Sequence, residues 1–302
     1  MDEEQGKQAD GISLVCSDVW FDDGTVVLQV EKTLFRVYRG VLAAQSSIFR
    51  DTFAIPQPPT QEKYDGCPLI LLHDSPEDMR LFLMATHDAG YFANTPVDGI
   101  VTLSSLLRLA TKYEVEHLRM RMISILTTIY PASLTAWLER EPPAGYVEST
   151  EDDFLALRLA GEQHILRILP GIYYECCSYS TTQLLETLHI SLADKRKCLA
   201  IRDVFEEYWC RRIYDFLFRR PESCAEPSAC GGRQLKWLEY YGLPSVAEVL
   251  GSDFDWNSWR MCTACVKAAK KSFYERRTAF WEALPTMLKL GTWEELISAS
   301  VE

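Results

Sequence analysis

Cysteines are the residue type in this chain that most directly suggests chemistry. The sequence of 302 residues contains 10 of them, and Cys262 and Cys265 form a C-x-x-C spacing within a segment of helical character. Residues three apart lie on the same face of a helix, so both sulfurs could reach one metal ion. Cys224 and Cys230 lie in a segment rich in Pro, Ser and Gly, residues 221–232, which we predict to be a loop. The four thiolates together would complete a tetrahedral zinc site.

Three interpretations of these cysteines stay open. The first is structural zinc, although the C-x5-C spacing of Cys224 and Cys230 is wider than the usual spacing of zinc ligands. The second is that they are reduced, partly buried thiols that pack as small hydrophobic side chains. The third is redox chemistry at the C-x-x-C, which would require a thioredoxin-like βαβ context that the sequence lacks.

Catalytic motifs are not found in the sequence. There is no phosphate-binding glycine loop, no HExxH and no GxSxG. The histidines are scattered singly along the chain: His73, His87, His117, His164 and His189. We therefore predict a protein that is not an enzyme, that has no catalytic residues, and whose only candidate cofactor is structural zinc.

Charge and hydropathy restrict the classes of partner. The chain carries 31 basic and 43 acidic residues, a net charge of −12, which argues against a surface that binds phosphate backbones. The basic cluster around Lys267, Lys270 and Lys271 is interpreted as a solvated helix face. No apolar run is long enough to span a bilayer, and the first ten residues, MDEEQGKQAD, resemble neither a secretory signal nor a transit peptide. We expect no membrane partner, reduced thiols, and localisation in the cytoplasm or nucleus.

Residues 15–130 show a mixed pattern of strands and helices that follows a disordered segment, residues 1–14. Residues 26–30 and 34–37 favour two strands joined by a tight turn at Glu31–Lys32, and residues 69–72 a third strand. Short helices are predicted at residues 41–44 and 48–53, and longer ones at 98–112 and 115–128. Ser75 and Pro76 are typical of an N-cap and a first helical position, so a further helix should begin there.

The second half of the chain is predicted to be all-helical. Two prolines and a glycine in residues 139–150 favour a linker, which we place at 131–150. Helices are then predicted within residues 151–302, near 151–169, 181–190, 194–219, 233–241 and 256–283. The fold class is therefore α+β over residues 15–130 and all-α beyond the linker.

Several sequence blocks resemble the BTB/POZ domain. Ser17-Asp-Val-Trp-Phe21 precedes the hairpin, and residues 35–53, FRVYRGVLAAQSSIFRDTF, follow the family's aromatic, basic and Leu-Ala-Ala-x-Ser pattern. Residues 69–92 and 106–118, LILLHDSPEDMRLFLMATHDAGYF and LLRLATKYEVEHL, are similar to the family's third strand and later helices. The Cys- and Trp-bearing helical tail is further similar to BTB proteins of basidiomycete fungi.

This resemblance implies a protein-interaction module. It implies protein partners, self-association and an adaptor role, in some relatives on cullin-type ubiquitin ligases. It also implies that Asp18 and Arg39 lie close together as a buried pair near a dimer interface. Tyr38 stands where the family has a histidine, and it is the third candidate for the dimer interface beside Asp18 and Arg39. Because the histidine is missing, a monomer or heteromer stays open beside the homodimer. An alternative function is a zinc-stabilised carboxy-terminal module in a transcriptional or chromatin-associated regulator.

Overall fold

A computed structural model describes most of the chain in two compact units. It covers residues 13–56, 62–88, 90–91, 97, 99–143, 146, 149, 151–208, 212–242, 246–251, 254–256 and 258–299. The first unit consists of residues 1–125 with 143–148, and the second of residues 126–142 with 149–302. Residues 1–12 of the predicted disordered segment lie outside the described residues.

Five strands form the sheet of the first unit. They are β1 (Val15–Trp20), β2 (Val26–Val30), β3 (Thr33–Val37), β4 (Lys63–Tyr64) and β5 (Cys67–Leu72). Their order across the sheet is β1-β3-β2-β5-β4, so β1 and β4 form its edges. β2 pairs antiparallel with β3 and parallel with β5, while β1 pairs parallel with β3. β2 therefore has a strand neighbour at each edge, and all of its valine and leucine side chains are buried.

The predicted hairpin is confirmed. Val30 lies opposite Thr33, which leaves Glu31 and Lys32 as a two-residue turn. Glu31 has φ of +52°, the left-handed backbone that such turns need to match the twist of the strands. Strands β1 and β4 were not predicted. The residues of β1 do not alternate regularly between apolar and polar. This edge strand is largely exposed, and Val15 on it is 59% exposed.

Helices of the first 130 residues follow the predicted order. They are α1 (Arg39–Gln45), α2 (Ser47–Ala54), α3 (Pro76–His87), α4 (Gly99–Lys112) and α5 (Glu116–Ile129). The predicted start of α3 is confirmed, since the Ser75 side chain accepts a hydrogen bond from the Asp78 N–H and Pro76 follows it. Ser46 caps α2 and donates its hydroxyl to the Tyr113 carbonyl, and the Phe49 ring stacks on Tyr113 with centroids 4.6 Å apart. These contacts fix α2 against the end of α4.

The second unit is helical, as predicted. Its α-helices after α5 are α6 (Leu134–Leu138), α7 (Asp152–Glu162), α8 (Leu169–Ser178), α9 (Thr181–Glu186), α10 (Leu192–Tyr208), α11 (Pro227–Tyr241), α12 (Val246–Gly251), α13 (Thr263–Met287) and α14 (Trp293–Ser298), with 3-10 turns at Leu166–Ile168 and Asp215–Leu217. Among the described residues, no helix has both the length and the apolar character that a bilayer crossing would need.

One predicted helix of the second unit is interrupted. The helix predicted at 151–169 ends at Glu162, because His164 adopts φ of +54°, and α8 starts after the 3-10 turn. Of the helix predicted at 194–219, the structure describes α10 as far as Tyr208 and a 3-10 turn at Asp215–Leu217, and residues 209–211 lie outside the described residues. The predicted linker, 131–150, contains α6, whose Trp137 is buried and donates its indole N–H to the Leu250 carbonyl at 3.2 Å. Its first part is therefore packed structure.

Aromatic side chains form much of the core of the second unit. Phe216, in the second 3-10 turn, contacts the rings of Phe254, Trp256, Trp259 and Phe273 at centroid distances of 5.2–6.3 Å. This cluster holds α13 and the segment that precedes it against the 3-10 turn. The segment leads directly into Cys262, so the packing of these rings places the cysteine.

Candidate functional site

Asp18, a predicted interface residue, lies on the edge strand β1. Arg80 of α3 donates Nε–H to its Oδ1 at 2.7 Å and Nη2–H to its Oδ2, a two-pronged ion pair. The hydrogen bonds from Arg80 lower the pKa of Asp18 to about 2. The Asp18 side chain is 56% exposed, so the pair lies on the surface of the first unit.

Asp18 and Arg39 have other intrachain partners, and the pair expected at a dimer interface stays a prediction. Arg39 is exposed at the start of α1 and donates Nη2–H to the Phe53 carbonyl at 2.6 Å. Its guanidinium also lies 5.4 Å from the centre of the Phe53 ring. Arg39 therefore ties α1 to the end of α2, while Arg80 occupies both oxygens of Asp18.

Tyr38, the third predicted interface residue, precedes α1. Its hydroxyl donates to Asp23 Oδ1 at 2.5 Å, and this bond raises the pKa of Tyr38. Its ring lies beside those of Phe21 and His87, with centroids 4.9 and 6.2 Å away. The phenol thus has an intrachain acceptor and an aromatic neighbourhood of its own, on the same unit as Asp18 and Arg39.

The four cysteines predicted from spacing do lie together, in the second unit. Cys224 is the last residue of a turn, and its N–H donates to the Pro221 carbonyl at 3.0 Å. Cys230 is the fourth residue of α11, Cys262 is the N-cap of α13, and Cys265 is in the first turn of α13. The predicted loop at 221–232 is therefore wrong from Pro227 onward. Proline at a first helical position begins α11, and the helix tolerates the glycines at 231 and 232.

The sulfur atoms of these residues, Cys224, Cys230, Cys262 and Cys265, form what we call the four-cysteine cluster. All four lie within 4.8 Å of one another, and the Cys224 and Cys262 sulfurs are 3.9 Å apart. Tetrahedral zinc with Zn–S bonds of about 2.3 Å separates its sulfurs by about 3.8 Å. The donor set is thus close to the dimensions of a tetrahedral thiolate site.

Burial divides the four-cysteine cluster into two pairs. Cys230 and Cys265 are buried, whereas Cys224 and Cys262 are partly exposed. Burial raises the pKa of the Cys230 and Cys265 thiols. The backbone N–H groups of Cys265 and Ala225 lower the pKa of Cys262 to about 6, as donors at the start of a helix do for a thiolate.

The chemistry of these residues fits a structural metal ion. A donor set of four sulfurs suits a soft or borderline cation such as Zn²⁺. The Cys262 N–H points at the Cys230 sulfur at 3.4 Å, the kind of outer hydrogen bond that orients a metal-bound thiolate. A metal ion held by all four sulfurs would have no open position for a substrate, which is typical of structural sites.

A partly buried polar network was not predicted from the sequence. Asp153 of α7 accepts hydrogen bonds from the hydroxyls of Tyr130 at 2.7 Å and Tyr179 at 2.9 Å. Arg140 pairs with Glu175 nearby and lies 3.5 Å from the centre of the Trp137 ring. Burial, with the Glu175 charge, raises the pKa of Asp153 to about 6. These residues are far apart in sequence, so no local spacing could reveal them.

Comparisons with known proteins identify the domain in the first half of the chain. Residues 21–130 match the family model of the BTB/POZ domain. The chain therefore contains this protein-interaction domain, a small sheet with flanking helices, followed by a helical region. Searches of curated proteins and of solved structures found no significant match.

Proposed function

We propose that this protein is a non-enzymatic adaptor that self-associates through its BTB/POZ domain and presents its helical region to another protein. The observation that carries the proposal is the family match over residues 21–130. Such domains act by burying surface against protein partners. A cullin-type ubiquitin ligase scaffold is one partner class for this adaptor, and the cytoplasm or nucleus is its place of action.

Exposed features of the first unit support self-association. β1 is an edge strand, and an edge strand offers unpaired backbone groups to a second chain. Val15 on this strand is 59% exposed, and Asp18 lies on the same strand. We propose that Asp18, Tyr38 and Arg39 belong to the surface that contacts the second copy.

The oligomeric state of the full chain tests this proposal. Light scattering across a range of concentrations should give twice the mass of the monomer, and a monomer at high micromolar concentration would refute self-association. Asp18→Ala and Arg80→Ala form a matched pair, because both remove the same intrachain ion pair. If Asp18 contacts the second copy, Asp18→Ala should weaken the dimer more than Arg80→Ala does.

Partner identity needs a separate experiment. Affinity purification of the full chain from its native host should recover a cullin if the protein is a ligase adaptor. If other proteins are recovered and cullins are not enriched over an untagged control, the ligase role is refuted. The proposal of a protein-interaction module would still stand.

A second candidate function is a zinc-stabilised module in a transcriptional or chromatin-associated regulator, and the four-cysteine cluster favours it. We propose that the cluster holds a structural Zn²⁺. Elemental analysis of the purified chain should find one zinc per chain, which Cys265→Ser should lower sharply. Cys198→Ser is the matched control, because Cys198 is a buried cysteine of the same unit outside the cluster. Equal zinc in both variants would refute the site.

A further inference from the structure

We propose that the four-cysteine cluster is an oxidation-sensitive metal site, in which a peroxide joins Cys224 to Cys262 and releases the metal ion. The inference rests on the zinc site proposed above and adds its regulation. It depends on which two of the four cysteines are partly exposed.

The sulfurs of the two partly exposed cysteines are also close to each other. Cys224 and Cys262 are partly exposed, and their sulfurs lie 3.9 Å apart. Cys224 belongs to the short segment between the turn at Pro221 and the start of α11, so its side chain can approach Cys262 without breaking a helix. Cys262 is the N-cap residue of α13 and therefore lies just before its first turn. Closing the remaining gap to a disulfide bond length therefore requires movement of a loop residue only.

The two other sulfurs are shielded. Cys230 lies within α11 and Cys265 within α13, and both are buried. Oxidation by a solvent-borne peroxide follows exposure and thiolate character, so the attack falls on Cys224 or Cys262. A disulfide between them leaves only two thiolates for the metal, which is too few for a closed tetrahedral site.

The reaction balances with hydrogen peroxide as the oxidant. The thiolate of Cys262 or of Cys224 attacks one peroxide oxygen, which breaks the O–O bond, forms a sulfenic acid and releases hydroxide. The second thiolate attacks the sulfenic sulfur, so the S–S bond forms and a second hydroxide leaves. The sulfurs lose two electrons and the peroxide gains them. The Zn²⁺ ion keeps its charge and departs.

Peroxide treatment of the intact full chain tests the inference. Zinc is measured first, then hydrogen peroxide is added, released zinc is read with a chromogenic chelator, and disulfides are mapped by mass spectrometry. We expect complete loss of bound zinc in step with a Cys224–Cys262 linkage. Dithiothreitol and added zinc should restore the starting content. Cys16→Ser, which removes an exposed cysteine of the other unit, should release zinc at an unchanged rate.

The possible results separate the two proposals. A chain that contains no zinc as purified refutes the metal site, and this inference with it. A chain that contains zinc but keeps it under peroxide, or loses it with a Cys262–Cys265 linkage, refutes the inference alone. The linkage is mapped in the unmodified sequence, so the outcome does not depend on whether a variant folds.

Discussion

Two aspartates of this chain occupy opposite environments. Asp18 lies on the surface, and the hydrogen bonds from Arg80 lower its pKa to about 2. Asp153 is enclosed with two tyrosine hydroxyls and the Arg140–Glu175 pair, and burial raises its pKa to about 6. A pKa difference between folded and unfolded chains is a pH dependence of stability. The contributions of the two residues to the free energy of unfolding should therefore change with pH in opposite directions.

Asp153→Asn should raise the free energy of unfolding of the second unit by about 1–3 kcal/mol at pH 7. The folded protein binds the Asp153 proton more tightly than the unfolded chain does. The stability due to Asp153 is thus fully present below its ordinary pKa of 3.8 and is lost as the pH rises through about 6. Urea unfolding of both proteins between pH 4 and pH 8 measures the difference. A gain that does not grow with pH would contradict the assignment.

Asp18→Asn should lower the free energy of unfolding of the first unit at pH 7, the opposite of the effect of Asp153→Asn. Its lowered pKa means that stability is present above 3.8 and is lost as the pH falls through about 2. Because the ion pair is solvent-exposed in the single chain, we expect a loss of less than about 1 kcal/mol at neutral pH when the chain is dilute enough to be monomeric. The same unfolding measurements, made on the monomer, test this. A loss of several kcal/mol in the monomer would contradict the surface position of the ion pair.

A contact between two residues can be predicted from the sequence when the two lie close together along the chain. Cys262 and Cys265 were predicted to share a site because their spacing along one helix already places both sulfurs together. Arg80, the partner of Asp18, comes from a helix 62 positions further along the chain. Nothing in the sequence around either residue selects the other, and the family resemblance led only to the expected pairing of Asp18 with Arg39.

One helix–helix contact in the second unit depends on a glycine. Gly171, near the start of α8, faces Trp137 of α6, and a Cβ placed there would lie 2.4 Å from the Trp137 Cζ3 atom. The indole is buried and has little room to move, because its N–H bonds to the Leu250 carbonyl. This glycine therefore sets the distance between the two helices.

Gly171→Ala should destabilise the second unit by about 1–3 kcal/mol, because the added methyl group overpacks the contact with Trp137. Gly161→Ala in α7 is the matched control, since a Cβ there meets no atom within 4 Å. That exposed substitution should be neutral or stabilise by up to about 1 kcal/mol through helix propensity alone. Thermal unfolding of the two variants compares them. A stabilising Gly171→Ala would show that the two helices can separate at no cost.

Elements with strong local signals were predicted, and those without were not. The Glu31–Lys32 hairpin and the Ser75 cap are encoded in neighbouring residues, so their predictions are confirmed. β1 is visible only through its parallel pairing with β3, which needs the folded sheet. The start of α11 was predicted as a loop because Pro, Ser and Gly cluster there. Pro227 instead stands at a first helical position, where proline is favourable, and the buried Cys230 packs the first turn against the core.

For the whole molecule, the division into two units separates the two candidate functions. The BTB/POZ match lies within residues 21–130, and the four-cysteine cluster lies in the second unit. The mixed sheet-and-helix class of the first part was predictable, because several sequence blocks agree with one family. The arrangement of helices after residue 150 was not, because amphipathic helices can pack in many orders with similar burial.

Metal removal should act on one unit only. A strong zinc chelator removes an ion whose binding free energy contributes directly to folding, so the unfolding transition of the second unit should fall by roughly 10 °C. The transition of the first unit should stay unchanged, because the four-cysteine cluster lies entirely in the second unit. Differential scanning calorimetry of the full chain, with Cys265→Ser as a genetic counterpart, measures both. A chelator with no effect on either transition would contradict the metal site, and a shift in both would show that the two units unfold together.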